Sequence, residues 1–534
     1  MRKMCIRIFM LGVILSTASP QTPAALRESP QKDTKYAGRK AHENPPKAHY
    51  TIQCSIDPNQ GLLEGTESIH FENTTDGSFR ALQIEWISLG NMEITCRGQN
   101  VRIVTDAKHG SGTNVTVVEL PKPIHPGGDA GLHIEFGMSL SEYAGAEKIP
   151  IKNWYPRLCW GVETHDDFDV KFERPPGYAL ATTGILDSES GYYHARDARS
   201  FCLFLGRNHD VIKAMTQGVL VQVMFAPEGE QCARLLLDTA VDVINFYSGR
   251  FGFYPHSVLS IVPGMNRPAG GYPVATSIVA VHGMEQLDSK PKLHWQWITA
   301  HEIGHEYWGE HVLSEDPDDA FDWLMIGLGI YADREYARAR SLGLNKHREI
   351  MNRYIKGVQS GLDTTIALSP EQRSEIIFDF NSVVRHGKSF SVISALDCVL
   401  GKKVFGKIYR DCLEDFGGRR LGINEFKAVC ENETGQDLGW FFDQWVYSNR
   451  FLSYEISSKK GKRREDRYIS QVEVTCLGDL MMPVPVVAYF EDGTSQSKFT
   501  DRLLHVNVLE FKSKSPLKDV RLDPEAALAQ ASME

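Results

Sequence analysis

Residues 294–308 read His-Trp-Gln-Trp-Ile-Thr-Ala-His-Glu-Ile-Gly-His-Glu-Tyr-Trp and contain a His-Glu-x-x-His pattern. On a helix, positions i and i+4 lie above one another on one face, so His301 and His305 can hold one zinc ion. Glu302 can then activate a water molecule as general base. The stretch predicts a buried helix that stops near Gly309, although two helical histidines can also meet by chance.

The chain around this helix alternates between strand and helix patterns. Residues 233–246 have helical spacing, and residues 257–262 and 277–281 are apolar strands. A second strong helix is predicted over residues 323–340, and helical patterns continue to about Tyr447. We therefore predict an α/β domain over residues 216–450.

The two flanking parts of the chain have the period of β-strands. Residues 50–56 and 67–71 alternate apolar and polar side chains, with turn residues between them, and such runs recur to about Asn208. The same alternation returns at 471–475 and 484–489. The fold class is therefore multidomain α+β. We predict a β-rich domain over residues 46–215 and a small β-sandwich over residues 451–534.

Composition limits the class of protein. A chain of 534 residues is too long for one ordinary core. It is 42% hydrophobic and 24% charged, which is typical of soluble globular proteins. Its formal net charge of -10 argues against nucleic acid as the main partner.

The N-terminus has the pattern of a secretory signal. Basic Arg2, Lys3 and Arg7 precede an apolar run at 8–15 and the small residues 16–18. We predict a signal peptide over residues 1–18 and a disordered linker over residues 19–45, hence a secreted or periplasmic protein. A short uncut anchor is the alternative.

Two further features bear on compartment and stability. No later stretch of eighteen apolar residues occurs, so we expect no stable membrane span. The chain has ten cysteines, of which one lies in the predicted signal. The remaining odd, sparse set is not a disulfide framework, although one or two bridges are possible.

Several further motifs occur together along the chain. They are Trp154–Leu158, Pro175–Tyr178 with Thr182–Gly184, Phe251–Pro255, His301–His305 with Trp308 and Gly309, and Phe441–Trp445. Their joint order resembles the gluzincin aminopeptidase family, which includes alanyl aminopeptidases and the leukotriene hydrolase. The resemblance implies an N-terminal β saddle, a thermolysin-like α/β catalytic domain, a C-terminal β-sandwich, one zinc ion and a peptide substrate.

The third zinc ligand of the family has no counterpart. In the family, eighteen residues separate the second histidine from a glutamate, which lies in a Trp-Leu-Asn-Glu-Gly pattern. Here residues 323–327 read Trp-Leu-Met-Ile-Gly, so the ligand position falls on Ile326, and twenty residues separate it from His305. Asp322, one turn earlier, is an alternative ligand, but an Asp directly before Trp323 is better explained as a helix N-cap.

The next acids along this helix are poorer candidates for the metal. Asp333 lies two turns beyond Ile326, about 10 Å along the axis, and is too far to replace it. Asp333, Arg334 and Glu335 are expected to form a solvated or salt-bridged face. The third ligand stays unassigned.

Two more family positions differ. The glutamate that holds a substrate α-amine corresponds to Pro273, so selectivity for free N-termini is not expected. The tyrosine that stabilises the oxyanion corresponds to Val384 or Arg385. Either His386 or Arg385 can donate in its place. We take His386 as a second candidate catalytic residue beside Glu302, and an ordinary helix-start role is the alternative.

Two functions follow from these features. The histidines and Glu302 favour a secreted zinc-dependent metallopeptidase with a divergent, aminopeptidase-like site. The isoleucine at the ligand position favours a catalytically inactive pseudopeptidase that binds peptides or acts as a scaffold. A hydrolase for a non-peptide substrate is a third possibility that no residue selects.

Overall fold

The computed structural model describes residues 45–86, 92–108, 114–265, 270–315, 322–343, 345–464 and 466–531. The predicted signal peptide, and the predicted linker up to residue 44, lie outside the described residues. Strands and helices are both abundant in the described segments, and the N-terminal part is rich in strands. The mixed α+β class is thereby confirmed, and the domain boundaries remain predictions.

The N-terminal part consists of short strands whose side chains alternate between core and surface. In the first strand, for example, Tyr50 and Ile52 are buried while Gln53 is exposed. The strands are β1 Ala48–Asp57, β2 Leu62–Glu72, β3 Phe79–Trp86, β4 Met92–Cys96, β5 Gln99–Asn100, β6 Arg102–Lys108, β7 Asn114–Ile124, β8 Asp129–Ser139, β9 Lys148–Ile151, β10 Arg157–Leu158, β11 Asp166–Glu173, β12 Tyr178–Thr182, β13 Ile185–Leu186, β14 Tyr193–Ala198 and β15 Leu203–Arg207.

These strands form three sheets. Their orders are β13-β14-β11-β1-β2-β8-β4-β5, β10-β3-β7-β6 and β12-β15-β9. The Trp154 indole donates to the carbonyl of Phe201 (2.9 Å), and the backbone N–H of Leu158 donates to the Tyr50 hydroxyl (3.0 Å). The motif at 154–158 therefore fixes the loop between β9 and β10 against the core.

The central part combines one sheet with most of the helices. Its elements are β16 Asp210–Thr216, β17 Val219–Phe225, α1 Glu230–Phe251, β18 Val258–Pro263, β19 Gly271–Ala275, β20 Ile278–Val281, α2 Lys292–Tyr307, β21 Leu313–Ser314, α3 Trp323–Ala339, α4 Lys346–Gln359, α5 Pro370–Ser374, a π-helix Asn381–Lys388, α6 Ser389–Leu400, α7 Lys402–Asp415, β22 Arg420–Leu421, α8 Ile423–Thr434 and α9 Gly439–Trp445. Short 3-10 turns span Ser141–Tyr143, Pro227–Gly229 and Leu287–Ser289.

The central sheet has the order β16-β17-β18-β20-β19. Strands β17, β18 and β20 are parallel, and the edge strand β19 runs antiparallel to β20. All residues of β18 and β20 are buried, as expected for strands covered on both faces. The predicted strands at 257–262 and 277–281 are thus confirmed within one residue at each end.

The C-terminal part returns to strands. They are β23 Tyr454–Arg464, β24 Arg467–Cys476, β25 Pro485–Phe490, β26 Ser495–Phe499, β27 Val506–Ser513 and β28 Leu517–Leu522, in sheets ordered β23-β24-β27 and β26-β25-β28. Val472 and Val474 of one sheet and Val486 and Ala488 of the other belong to a single apolar cluster. Burial of these side chains holds the two sheets to the rest of the chain.

Two findings concern covalent and membrane features of the described segments. The nine cysteines that they contain are free thiols. Among their helices, none combines the length and the apolar character that crossing a bilayer requires.

Candidate active site

Helix α2 carries the His-Glu-x-x-His pattern through the middle of the protein. The Tyr247 hydroxyl of α1 donates to the carbonyl of Ala300 (3.0 Å), and the Tyr307 hydroxyl donates to the carbonyl of Phe253 (2.8 Å). The helix ends at Tyr307, and Gly309 has a φ of 113°, a backbone conformation that favours glycine. The predicted helix and its stop are confirmed.

His301 and His305 lie on the same face of α2. Their ring centroids are 4.9 Å apart and the rings are nearly perpendicular, at 85°. Nδ1 of His301 donates to Oδ2 of Asp333 at 2.7 Å. This bond leaves Nε2 of His301 as the nitrogen with a lone pair, because a neutral imidazole carries one proton.

Asp333 of α3 holds the first histidine in place. Its carboxylate is fully buried (0% exposed) and also accepts from the Trp297 indole (3.2 Å) and from His347 of α4. Of the two expectations for this face, solvated or salt-bridged, the second is confirmed: Asp333 and Arg334 are both buried, and Arg334 pairs with Asp397 at 2.7 Å. Asp333 lies seven residues, or two helical turns, after Ile326 and therefore on the same face of α3. This spacing was the sequence signal that Asp333 lies near the histidines.

Glu302 is buried beside the edge strand. It is 2% exposed, and its Oε2 finds no hydrogen-bond donor in the described part of the chain. Burial raises the pKa of Glu302 to about 7, although the positive charge of His301 opposes the shift. A carboxyl group with a pKa near 7 is suited to accept and return a proton.

Gly271 of β19 makes room for this carboxyl group. A Cβ atom on Gly271 would lie 2.6 Å from both Cγ and Oε1 of Glu302. The strand can approach Glu302 this closely only because residue 271 has no side chain.

The two imidazoles have opposite electrostatic environments. Burial opposes the protonation of His301, but the hydrogen bond to Asp333 and the charge of Glu302 outweigh it and raise its pKa. Burial, followed by the charges of His301 and His386, holds the pKa of His305 well below its usual range. A neutral His305 is in the state required of a metal ligand.

The start of α3 supplies no third ligand. Asp322 caps the helix, with Oδ1 accepting from the backbone N–H groups of Leu324 (2.8 Å) and Met325 (3.0 Å). Its Oδ2 accepts from the Ser314 hydroxyl at 2.8 Å. The N-cap interpretation of Asp322 is thus confirmed. Ile326 is 6% exposed and presents only hydrocarbon.

A zinc ion can be tested against these donors. Three features fit such an ion. Two histidines face each other, His301 is bonded to Asp333, and one carboxylate oxygen of Glu302 has no hydrogen-bond donor among the described residues. The set is one ligand short of the usual three. Within the described residues, no group of three or more His, Cys, Asp and Glu side chains is placed to hold a metal ion. The described residues thus provide two zinc ligands, His301 and His305, and the side chains that hold them in place.

His386 lies on the π-helix that faces this region. Its Nδ1 donates to the carbonyl of Asn381 at 2.8 Å, and burial lowers its pKa to about 4. In this neutral tautomer Nε2 accepts hydrogen bonds rather than donating them. The neighbouring guanidinium of Arg385 has several N–H donors. Val384, at the tyrosine position of the family, is fully buried.

Together, these features define a two-histidine centre of the metallopeptidase kind. Residues 239–445, from within α1 to the end of α9, match the peptidase family M1 domain. The predicted resemblance to gluzincin aminopeptidases is thereby confirmed over these residues. The family supports a zinc metallopeptidase kind of function with peptides as substrates. No curated protein matches the chain.

Proposed function

We propose that this protein is a secreted zinc-dependent metallopeptidase that hydrolyses peptide bonds in an aminopeptidase-like but divergent site. The observation that carries the proposal is the buried contact of His301 with Asp333, because it orients an imidazole for a metal on the helix that also carries Glu302. The corresponding architecture is a β saddle over 46–215, a thermolysin-like domain over 216–450 and a β-sandwich over 451–534.

In this proposal His301 and His305 would hold the ion, with the third protein ligand unassigned. Zinc, when bound, supplies Lewis acidity that makes water a better nucleophile and a carbonyl a better electrophile. Asp333 keeps the proton of His301 on Nδ1, so that Nε2 points its lone pair away from α3. Glu302 takes the proton of the attacking water and returns it to the leaving amine, which its pKa of about 7 permits.

The remaining roles belong to the surrounding chain. Arg385 is the better donor for a developing oxyanion, since its guanidinium has several N–H groups, whereas His386 would first have to gain a proton at Nε2. Pro273 provides no anion for a free α-amine. We therefore do not propose strict removal of N-terminal residues.

The second candidate function is a pseudopeptidase that binds peptides without cleaving them. Ile326 at the ligand position favours it, because catalytic zinc usually has three protein ligands. Both functions predict peptide binding beside α2, so metal retention separates them.

The test is the zinc content of the purified mature protein, measured by elemental analysis after dialysis. About one retained zinc per chain supports the metallopeptidase, provided that it is lost in His301→Ala and kept in His133→Ala, a change at an exposed histidine of β8. Absence of zinc from the parent protein contradicts the metallopeptidase and leaves the peptide-binding function.

Secretion is proposed from residues 1–18 alone. N-terminal sequencing of the exported protein is expected to begin near residue 19. Recovery of intact Met1 in the membrane fraction would instead identify an uncut anchor.

A further inference from the structure

The first sheet of the N-terminal part has an acidic area on its solvent face. Where β11, β1, β2, β8 and β4 lie side by side, their side chains surround an open depression of about 760 Å³. Among the residues that line it, the charged ones are Lys171 and four exposed glutamates, Glu64, Glu93, Glu135 and Glu173. These four glutamates form the acidic area, whose negative charge exceeds that of the one lysine.

The register of the strands brings the glutamates together. Glu93 and Glu135 lie directly opposite each other on β4 and β8. Ser55 of β1 lies opposite both Glu64 and Glu173, so these two are about 10 Å apart, at two strand spacings. No ion pair joins any of the four to another residue in the described part of the chain. Because like charges opposite one another destabilise a sheet, positive charge brought to this area would stabilise it.

The hairpin of β23 and β24 has the opposite charge. Side chains alternate along a strand, so Lys460, Lys462 and Arg464 project from one face of β23, over about 14 Å. Arg467 of β24 lies directly opposite Arg464. All four side chains are exposed. The hairpin thus has a like-charge pair of its own, which negative charge would stabilise.

These four cations are not paired within the described segments. None of them forms an ion pair or a hydrogen bond with another described residue, whereas Lys459, on the other face of β23, lies 3.8 Å from Asp519. The turn contains Asp466, and Glu465 lies outside the described residues. Even with both of these acids counted, the hairpin has an excess of positive charge in a chain whose formal net charge is -10.

We propose that the β23–β24 hairpin of one copy of this chain docks on the acidic area of a second copy. The charges are opposite and the lengths agree, since the cations span about 14 Å and the acidic area about 19 Å across five strands. Contact would relieve the repulsion between Arg464 and Arg467 and between Glu93 and Glu135. Because the two surfaces differ, the contact is heterologous and links copies head to tail. The inference does not depend on zinc or on peptide hydrolysis.

Sedimentation velocity of the purified mature protein tests the association. Exposed ion pairs are individually weak and are screened by salt. We expect the chain to associate at about 0.01 M salt, where charges act over about 30 Å, and to dissociate at about 1 M, where they act over about 3 Å. A parent protein that is monomeric at both salt concentrations, or associated at both, overturns the inference.

Two variants each remove one surface and keep the other. The hairpin variant combines Lys460→Gln, Lys462→Gln, Arg464→Gln and Arg467→Gln. The acidic-area variant combines Glu64→Gln, Glu93→Gln, Glu135→Gln and Glu173→Gln. At low salt, each should associate at least about tenfold more weakly than the parent protein. The acidic-area variant is the sharper test, because it brings the net charge closer to zero, which by itself favours association.

The control changes the same amount of charge elsewhere. It combines four exposed lysines on other elements, Lys122→Gln, Lys213→Gln, Lys356→Gln and Lys403→Gln. This control has the same net charge as the hairpin variant and should associate like the parent protein. Association that persists undiminished in the hairpin variant or in the acidic-area variant overturns the inference.

A mixture of the two variants separates docking from a structural effect. The hairpin variant retains the acidic area, and the acidic-area variant retains the hairpin. Equal amounts of the two should therefore form one-to-one dimers that cannot extend further. If the mixture stays monomeric, the inference is overturned, because the substitutions would then act through structure. Since no step requires zinc, failure here leaves the proposed metallopeptidase untouched.

Discussion

The face of α2 that carries the histidines differs from the surfaces opposite it. On α2, His301 is bonded to Asp333, and Asp333 is bonded to His347 of α4. Opposite, the positions that would complete the site are Ile326, Val384 and Pro273, whose side chains can neither bind a metal nor donate a hydrogen bond. The residues that hold the histidines in place are present, whereas the residues that would complete the site differ from the family pattern.

This difference shows that a histidine that matches the family pattern is not by itself evidence of catalytic activity. Removing one partner from a buried, hydrogen-bonded charge pair typically costs about 3–5 kcal/mol, because the other partner stays buried without compensation. The buried network around Asp333 is therefore expected to stabilise the fold whether or not zinc binds. Ile326, Val384 and Pro273 carry no such constraint and report on function more directly.

The largest effect is expected from Asp333→Ala, which removes the carboxylate that holds His301 in place. Two imidazoles and an indole lose their acceptor, and we expect the free energy of unfolding to fall by about 3 kcal/mol or more. Urea unfolding of the zinc-free protein measures it. Asp238→Ala, at an exposed site on α1, should change stability by less than about 0.5 kcal/mol. A small loss in Asp333→Ala would remove the stability explanation.

The next effect is expected from Ile326→Glu, which restores a carboxylate to the changed surface. Without metal, a buried glutamate should destabilise the protein by about 1–3 kcal/mol. Zinc at a hundred times its dissociation constant should return about 2.7 kcal/mol, seen as a rise in melting temperature over an EDTA sample. Ile330→Glu, one turn later and fully buried, should be destabilised without rescue. Equal responses to zinc would contradict a site at Ile326.

A smaller effect is expected from Gly271→Ala. The added Cβ would lie 2.6 Å from the carbonyl oxygen of Ala280 as well as from Glu302, so the strand itself must move, at about 1–3 kcal/mol of stability. Gly131→Ala on β8 is the matched control, since its Cβ would meet nothing within 4 Å. Thermal unfolding of both variants tests whether β19 packs as closely against β20 and Glu302 as the structure describes.

The smallest effect is the pH dependence of stability at His165, a buried histidine outside the two-histidine centre. Burial lowers the pKa of His165 to about 3, so the folded state excludes a proton that the unfolded chain binds near pH 6.5. Stability should therefore fall as the pH drops from 7 to 5. In His165→Gln, which can still donate to the carbonyl of Glu310, this loss should shrink by about 1–2 kcal/mol. An unchanged pH profile would show that His165 is solvated.

Sequence alone predicted the regular elements well, for a physical reason. The helices α2 and α3 and the strands β18 and β20 have strong apolar patterns, and local chemistry marks their ends. Asp322 caps α3 with its own side chain, and Gly309 ends the turn after α2 in a conformation suited to glycine. Such signals lie within a few residues of the feature that they specify.

The site was predicted only in part, because its remaining features depend on contacts between distant segments. The burial of Asp333 requires His347 of α4, and the enclosure of Glu302 requires Gly271 of β19. The tautomer of His386 depends on the π-helical winding of residues 381–388, which the spacing of apolar residues in the sequence does not reveal.

The π-helix Asn381–Lys388 has an evolutionary consequence. Its wider winding accommodates more residues per turn than an α-helix, and the side chain of His386 bonds to the carbonyl of Asn381, five residues earlier. Deletion of one residue here would tighten the segment to α-helical winding and bring a different side chain to the position that faces α2, while the buried helix α6 that follows keeps its orientation. A single lost codon would therefore change the chemistry beside α2 while the scaffold stays the same.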